Sequence, residues 1–130
     1  LVDLLATCAD VSGASYDQSQ SEDSYSLLAN LKNPDKPSAR PPVIHHSAGG
    51  MFAIRQGKWK LVLGNGSGGR QAPKGKPFAK PYHLFDLSQD LAEQNNVASN
   101  NTDVRDQLVT EFERISHNDH LPNNRNSKTP

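Results

Sequence analysis

The sequence has few residues of the types that build a large hydrophobic core. Hydrophobic residues make up 34% of the 130 residues, and aromatic residues only 6%. Leu, Ile, Val and Phe are just common enough for folding to offset the entropy of ordering the chain. This length and composition leave room for one small domain and exclude a large enzyme or a multidomain assembly within these residues.

Cysteine and methionine each occur once. The single cysteine, Cys8, excludes an internal disulfide framework and any multi-cysteine metal cluster. The only methionine is Met51 and the first residue is Leu1, so we expect these residues to be a fragment of a longer reading frame.

Long apolar runs and an excess of one charge are also lacking. No stretch approaches the roughly 18 to 20 apolar residues that cross a bilayer, and no basic segment leads into an apolar run with a cleavage site. Lys plus Arg and Asp plus Glu number 14 each, so no overall field attracts nucleic acid or an anionic membrane. We therefore expect neither nucleic acid nor a membrane among the partners.

Apolar spacing predicts helices towards both ends of the chain. Apolar residues at helical intervals predict a helical arm over residues 1–11, and about two further helical turns fall within residues 25–31. Near the other end, Asn101 or Thr102 caps a helix. Its apolar stripe consists of Val104, Leu108, Phe112 and Ile115.

Between these helices, four β-prone runs predict a small antiparallel sheet. The runs cover residues 43–47, 51–55, 58–63 and 82–87. The second and third runs are joined across Gln56-Gly57, with Ile54 opposite Trp59 and Phe52 opposite Leu61. The predicted fold class is α+β: a four-stranded antiparallel sheet packed by a C-terminal helix, with an N-terminal helical arm.

Two connecting segments complete the predicted sheet region. Residues 64–81 contain too much glycine, proline and lysine for regular structure, so they predict a long exposed loop. Residues 86–97 predict a turn that leads into a short helical piece. Long loops are often functional, which makes residues 64–81 a segment of interest.

The residues by themselves match no common catalytic or metal motif. In the segment Gly64–Gly68 the serine stands fourth and not third, which excludes a nucleophile elbow. The same segment lacks the Gly-Lys-Ser/Thr ending and the following helix of a phosphate-binding loop. His45 and His46 point to opposite faces of a strand, so they cannot share a metal. His117 and His120 have helical ligand spacing, but no third ligand completes a site.

A modest basic cluster surrounds three aromatic residues in the hairpin and in the loop after it. Such an arrangement can bind single-stranded nucleic acid. On a neutral chain, the solvent face of a hairpin and its loop is the better interpretation. The cluster contains Lys58, Lys60, Arg70, Lys74, Lys76 and Lys80, with Trp59, Phe78 and Tyr82 nearby.

Three segments resemble the C-terminal end of arylsulfatase-type, formylglycine-dependent sulfatases. They are residues 3–7 (DLLAT), 52–61 (FAIRQGKWKL) and 82–87 (YHLFDL), the last followed by Asp90, Glu93, Asn96 and Val97. The resemblance implies that residues 1–32 are a helical arm ending the main sulfatase domain, and that residues 33–42 are a linker. Residues 43–116 then form the C-terminal sulfatase subdomain, and residues 117–130 a flexible tail.

In such sulfatases a formylglycine, made from Cys or Ser, and a divalent cation, usually calcium, hydrolyse sulfate esters. Neither Cys8 nor Ser38 lies in the required Cys/Ser-x-Pro-Ser/Ala-x-Arg context, and there are no paired aspartates for calcium. We therefore expect no catalytic residue and no metal ligand in this chain. The resemblance implies a missing N-terminal catalytic domain as partner, and a periplasmic or secreted location.

The resemblance also implies a sulfated small molecule or glycan as substrate. Loops of the C-terminal subdomain can reach over the active site in this family, so His46 and Ser47 are the candidate substrate-binding residues. The loop 64–81 is a second candidate segment. An alternative remains open: a noncatalytic module that binds a protein or a glycan through the hairpin face and this loop. A truncated relic of a sulfatase gene is a third possibility.

Overall fold

The computed structural model describes residues 2–17, 19, 21, 23–38, 40–68 and 72–118. The chain divides into two compact units, Leu1–Pro41 and Pro42–Pro130, called unit 1 and unit 2 below. The predictions made for Leu1, Arg70, His120 and residues 119–130 lie outside the described residues. The assignment of residues 1–32 to a larger domain stays a prediction.

Unit 1 contains the predicted N-terminal helix and a second, shorter one. Helix α1 covers Leu4–Ser12 and ends at Gly13, whose φ of 71° is the left-handed conformation that favours glycine at a helix end. Helix α2 covers only Leu28–Lys32. It starts later than predicted, and the Leu27 N–H before it donates to Thr7 Oγ1 of α1 at 3.0 Å.

The carboxylate of Asp3 connects three parts of unit 1. Its two oxygens accept hydrogen bonds from Arg40, at 2.9 Å from Nε and 3.0 Å from Nη2. One of them also accepts the Tyr25 backbone N–H at 3.1 Å. The bond from Arg40 lowers the pKa of the Asp3 carboxyl, and the Tyr25 amide lowers it further. Polar contacts thus supplement a small core, in which Ala6 and Ala9 are the buried residues of α1.

Unit 2 is an antiparallel sheet with one helix against it, which confirms the predicted fold class. The strands are β1 (Val43–His46), β2 (Phe52–Gln56), β3 (Trp59–Leu63) and β4 (His83–Asp86), adjacent in chain order. Helix α3 covers Thr102–Asn118. It extends two residues beyond the predicted end at residue 116, and His117 donates from Nδ1 to the Glu113 carbonyl at 2.6 Å. The predicted tail therefore begins too early.

The core of unit 2 lies between one face of the sheet and α3. Leu61 in β3 pairs with Ile54 in β2 on one side and with Leu84 in β4 on the other. All three side chains are completely buried. From α3, the side chains of Leu108 and Phe112 pack against this row. Burial of a large apolar side chain contributes about 1.5 to 3 kcal/mol, so this row is the main source of stability in unit 2.

The predicted register between β2 and β3 is wrong by two residues. Ile54 lies opposite Leu61, and not opposite Trp59. The two turn residues are Gly57 and Lys58, because Gly57 takes a φ of 56° that glycine adopts at little cost. A shift of two residues leaves each side chain on its predicted face, so the apolar face itself was predicted correctly.

As predicted, the described residues of segment 64–81 form no helix or strand and most of residues 72–81 are exposed, but the segment also folds back on itself. Gly64 forms a bridge with Pro77, and Ser67 N donates to the Pro73 carbonyl at 2.7 Å. Gly66 is buried against the backbone of Gly75, and a Cβ on Gly66 would lie only 2.5 Å from the Gly75 nitrogen. The glycines here permit close approach of two backbone segments.

The short helix predicted within residues 86–97 is not present there. Instead Asp90 Oδ2 accepts the Asn95 N–H at 2.7 Å. The chain then runs beside β4, where Leu84 N donates to Asn96 Oδ1 at 3.0 Å and Val97 N donates to the Leu84 carbonyl at 2.9 Å. Local hydrogen bonds with the edge of the sheet thus replace helical ones.

Candidate functional site

His46 and Ser47, the predicted substrate-binding residues, lie where β1 ends. The His46 ring is exposed and lies 5.4 Å from the Phe52 ring, centroid to centroid. Its Nδ1 donates to the Ser47 carbonyl at 3.0 Å. A role for His46 in substrate binding stays a prediction.

The Ser47 side chain organises the turn between β1 and β2. Its hydroxyl oxygen accepts the N–H groups of Gly49 and Met51, each at 3.2 Å. The Ser47 backbone pairs with Met51 as well, at 2.9 Å from N to O. The Ser47 side chain therefore serves first of all to stabilise this turn.

Four rings form a cluster that joins β1, β2, the folded loop and α3. We call it the aromatic face. Its members are His46, Phe52, Phe78 and Phe112. The Phe52 and Phe78 rings are stacked with centroids 5.6 Å apart and an angle of 29° between their planes. The structure thus brings the end of β1 together with the 64–81 segment, the two regions singled out in the sequence.

Phe78 is the exposed member of this face and has an unusual backbone conformation. Its side chain is 51% exposed, and its φ is 59°. Ala79 N donates to the Lys76 carbonyl at 3.3 Å, so Phe78 is the third residue of a turn in which Pro77 is the second. Glycine or asparagine is usual at such a left-handed position, and a bulky residue there is strained.

The charges of unit 2 are strongly segregated along the sequence. Residues 42–85 contain seven Lys and Arg residues and no Asp or Glu. Lys58 pairs with Asp86 at 2.7 Å, and Lys60 pairs with Glu93 at 2.6 Å. Lys74 and Lys76 have no ion pair within the part of the chain that the structure describes. The zero net charge conceals this asymmetry, which counting charges in segments would have found.

His45 precedes His46 and has different surroundings. Partial desolvation lowers the pKa of His45, and the nearby charges of Lys60 and Arg55 lower it further, while Glu93 acts in the opposite direction. Neutral His45 is thus favoured in the folded state.

We expect His45 to make unit 2 less stable at mildly acidic pH. Because its pKa is below the ordinary value of 6.5, the unfolded chain binds more protons, and stability falls as the pH drops through that value. Thermal unfolding at about pH 7.5 and about pH 5.5 would show a smaller loss of Tm for His45→Asn than for the parent chain. The matched control His46→Asn should lose as much Tm between the two pH values as the parent chain does. A loss of Tm in His45→Asn equal to that of the parent chain would contradict the assignment of this pH dependence to His45.

The described residues offer no clustered donors for a metal. Among them, no three His, Cys, Asp or Glu side chains come together as ligands. Cys8 is exposed on α1. The carboxylates of the described residues are therefore not gathered into a site that would fit calcium. Within the described residues, no helix is long and apolar enough to cross a membrane.

Three solved structures match most of this chain. BT33336S-sulf of Bacteroides thetaiotaomicron is 23% identical with a TM-score of 0.64, over 87% of this chain and 24% of its own. Ps i-CgsB is 24% identical with a TM-score of 0.63, over 88% and 23%. The same protein in complex with k-i-k-neocarrahexaose is 25% identical with a TM-score of 0.60, over 88% of this chain and 23% of its own. The chain has a sulfatase-type fold.

This fold confirms the resemblance inferred from the three sequence segments, at the level of architecture. No family model and no curated protein matches the chain. The chain spans about a quarter of the length of the sulfatase structures that it matches. Within the sulfatase-type fold, His46, Ser47 and the aromatic face lie at one end of the sheet.

Proposed function

We propose that this chain is the C-terminal portion of a sulfatase that hydrolyses sulfate esters. The observation that carries the proposal is the match to sulfatase structures over 87% to 88% of the chain. Its role is to support a catalytic domain and to supply part of the rim of the substrate pocket. His46 and Ser47 are the rim residues, since they lie exposed or half-buried at the end of β1.

The reaction centre lies outside these residues in this proposal. In such an enzyme a formylglycine of the catalytic domain would supply the nucleophile, and calcium would supply positive charge for the sulfate oxygens. Neither is assigned here, because Cys8 and Ser38 lack the required neighbours and the donor set does not fit calcium. Following the family resemblance, we place the protein in the periplasm or outside the cell.

A sulfated glycan is the favoured substrate class. One matching sulfatase structure holds k-i-k-neocarrahexaose, and another comes from an organism whose metabolism of multiple glycosaminoglycans depends on a core genetic locus. Residues 42–85 contain basic residues and no acidic ones, so their charge is complementary to that of a sulfated glycan.

The experiment compares the chain alone with a longer protein encoded by the same reading frame. With calcium and an aryl sulfate or a sulfated oligosaccharide, we expect no turnover by the 130-residue chain. The longer protein should release sulfate, and replacement of its formylglycine precursor should abolish release. Turnover by the purified chain alone would contradict the supporting role, and upstream residues without a formylglycine motif would contradict the proposal as a whole.

A noncatalytic glycan-binding module is the second candidate. The exposed Phe78 favours it, together with Lys74 and Lys76, which have no ion pair among the described residues; unit 2 also has a hydrophobic core of its own. This candidate predicts glycan binding by a chain whose reading frame encodes no catalytic domain.

A further inference from the structure

We propose that Phe78, the exposed member of the aromatic face, forms a stacking surface for a sugar ring of a sulfated glycan, and that Lys74 and Lys76 bind its sulfate groups. The substrate class rests on the proposed function. The stacking surface and its residues rest on the geometry of the aromatic face.

The first argument is the position of Phe78. A left-handed φ of 59° costs free energy for a bulky residue, yet the strain places a large apolar ring in solvent with 51% of its surface exposed. Glycine would relieve this strain, and a polar residue would suit the exposure. An exposed ring at a strained turn is a feature typical of ligand contacts.

The second argument is that the ring is held in place before any ligand arrives. On its inner side it stacks on Phe52 at 5.6 Å and contacts Phe112 at 6.1 Å, centroid to centroid. Phe78 N also donates to the Leu63 carbonyl at 2.8 Å. A fixed ring loses little entropy on binding, and its electron-rich face attracts the C–H groups of a sugar ring.

The third argument is the charge around this ring. Lys76 begins the turn that carries Phe78, and Lys74 lies two residues earlier. Both are exposed and without an ion pair among the described residues. Of the acidic residues on helix α3, Asp106 and Glu111 are each paired with an arginine at 2.7 Å. Lysine binds sulfate as a point charge, so free lysines beside an exposed ring suit a sulfated sugar.

The test measures binding of the 130-residue chain by isothermal titration calorimetry. The probes are a kappa-carrageenan hexasaccharide, the same hexasaccharide after chemical desulfation, and an oligothymidylate. We expect Phe78→Leu to weaken binding of the sulfated hexasaccharide about 5- to 10-fold. Phe78→Tyr, which keeps the aromatic ring, should bind within about twofold of the parent chain.

The charge variant separates the lysines from the ring. Lys74→Gln with Lys76→Gln should weaken binding of the sulfated hexasaccharide and reduce its salt dependence, while leaving the desulfated one unchanged. Lys32→Gln removes an exposed charge from unit 1, and Leu91→Ala removes an exposed apolar side chain that is 84% accessible. Both controls should bind as the parent chain does. Circular dichroism of every variant identifies any that has lost its fold.

Three results would overturn the proposal. They are no binding of the sulfated hexasaccharide by the folded parent chain, equal binding by Phe78→Leu, and tighter binding of the oligothymidylate. The proposed function is tested separately by the catalytic motif and activity of the longer protein. If glycan binding depends on Phe78 but the longer protein lacks that motif, the sulfatase proposal is contradicted and the stacking surface is still supported.

Discussion

Replacing Leu61 with alanine is expected to lower the free energy of unfolding of unit 2 by about 2 to 5 kcal/mol. Leu61 is completely buried between Ile54 and Leu84, so truncation leaves a cavity in the centre of the sheet. A small domain has only about 5 to 15 kcal/mol of stability, so the variant loses a large share of it. Urea unfolding followed by circular dichroism measures the difference.

Val62→Ala is the matched control for this prediction. Val62 is the next residue of β3, but its side chain is on the other face and half-buried. We expect a cost below about 1 kcal/mol, mainly from the weaker strand preference of alanine. Equal losses in the two variants would show that the core lies elsewhere than between this face and α3.

Replacing Gly66 with alanine is expected to separate the two arms of the 64–81 segment. The new methyl group would lie 2.5 Å from the Gly75 nitrogen, which belongs to the backbone, so no flexible side chain can move aside to make room. The arms would lose the bonds from Ser67 N to Pro73 O and from Lys76 N to Asn65 Oδ1. At about 0.5 to 1.5 kcal/mol each, these bonds amount to a local loss of about 1 to 3 kcal/mol.

Amide hydrogen exchange at Ser67 and Lys76 measures this effect directly. A local loss of that size raises the exchange rates by about 5- to 150-fold, while the amide of Leu61 stays protected. Gly49→Ala is the control, because its new Cβ would meet nothing closer than 3.5 Å. Unchanged exchange in Gly66→Ala would mean that the arms are not held together as described.

The strands and the main helices could be predicted because their apolar periodicity is local. Val104, Leu108 and Phe112 follow a helical spacing, and Ile54 and Leu61 belong to alternating runs. The exact pairing could not be predicted, because the predicted and the observed registers bury the same residues. Only the conformation of Gly57 separates the two, by making Gly57 and Lys58 the turn.

The loop 64–81 was predicted, but the close pairing of its two arms was not, for a different reason. A run of glycine and proline is usual in irregular loops, and the same residues permit close packing of two backbones. The approach of Gly66 to Gly75 is a tertiary contact without a sequence signature. The prediction of a short helix before Val97 was wrong for a similar reason, because Asn96 and Val97 form hydrogen bonds with β4 instead.

The candidate site was predicted in part. His46, Ser47 and the 64–81 segment were named from the family resemblance, and the structure brings them to the same end of the sheet. Phe78 was noted only as part of a basic and aromatic cluster. Its strain and exposure depend on a turn that composition alone does not reveal. The role of His46 and Ser47 in binding substrate stays a prediction.

The only tryptophan of the chain, Trp59, stands at the start of β3 in unit 2. Its ring is partly buried and packs against the core of unit 2, so its emission depends on that core. Tryptophan fluorescence therefore follows the melting of unit 2 alone, whereas the far-ultraviolet helix signal also contains α1 and α2 of unit 1. Coincident curves from the two signals would mark one cooperative transition, and separate curves would give each unit its own midpoint.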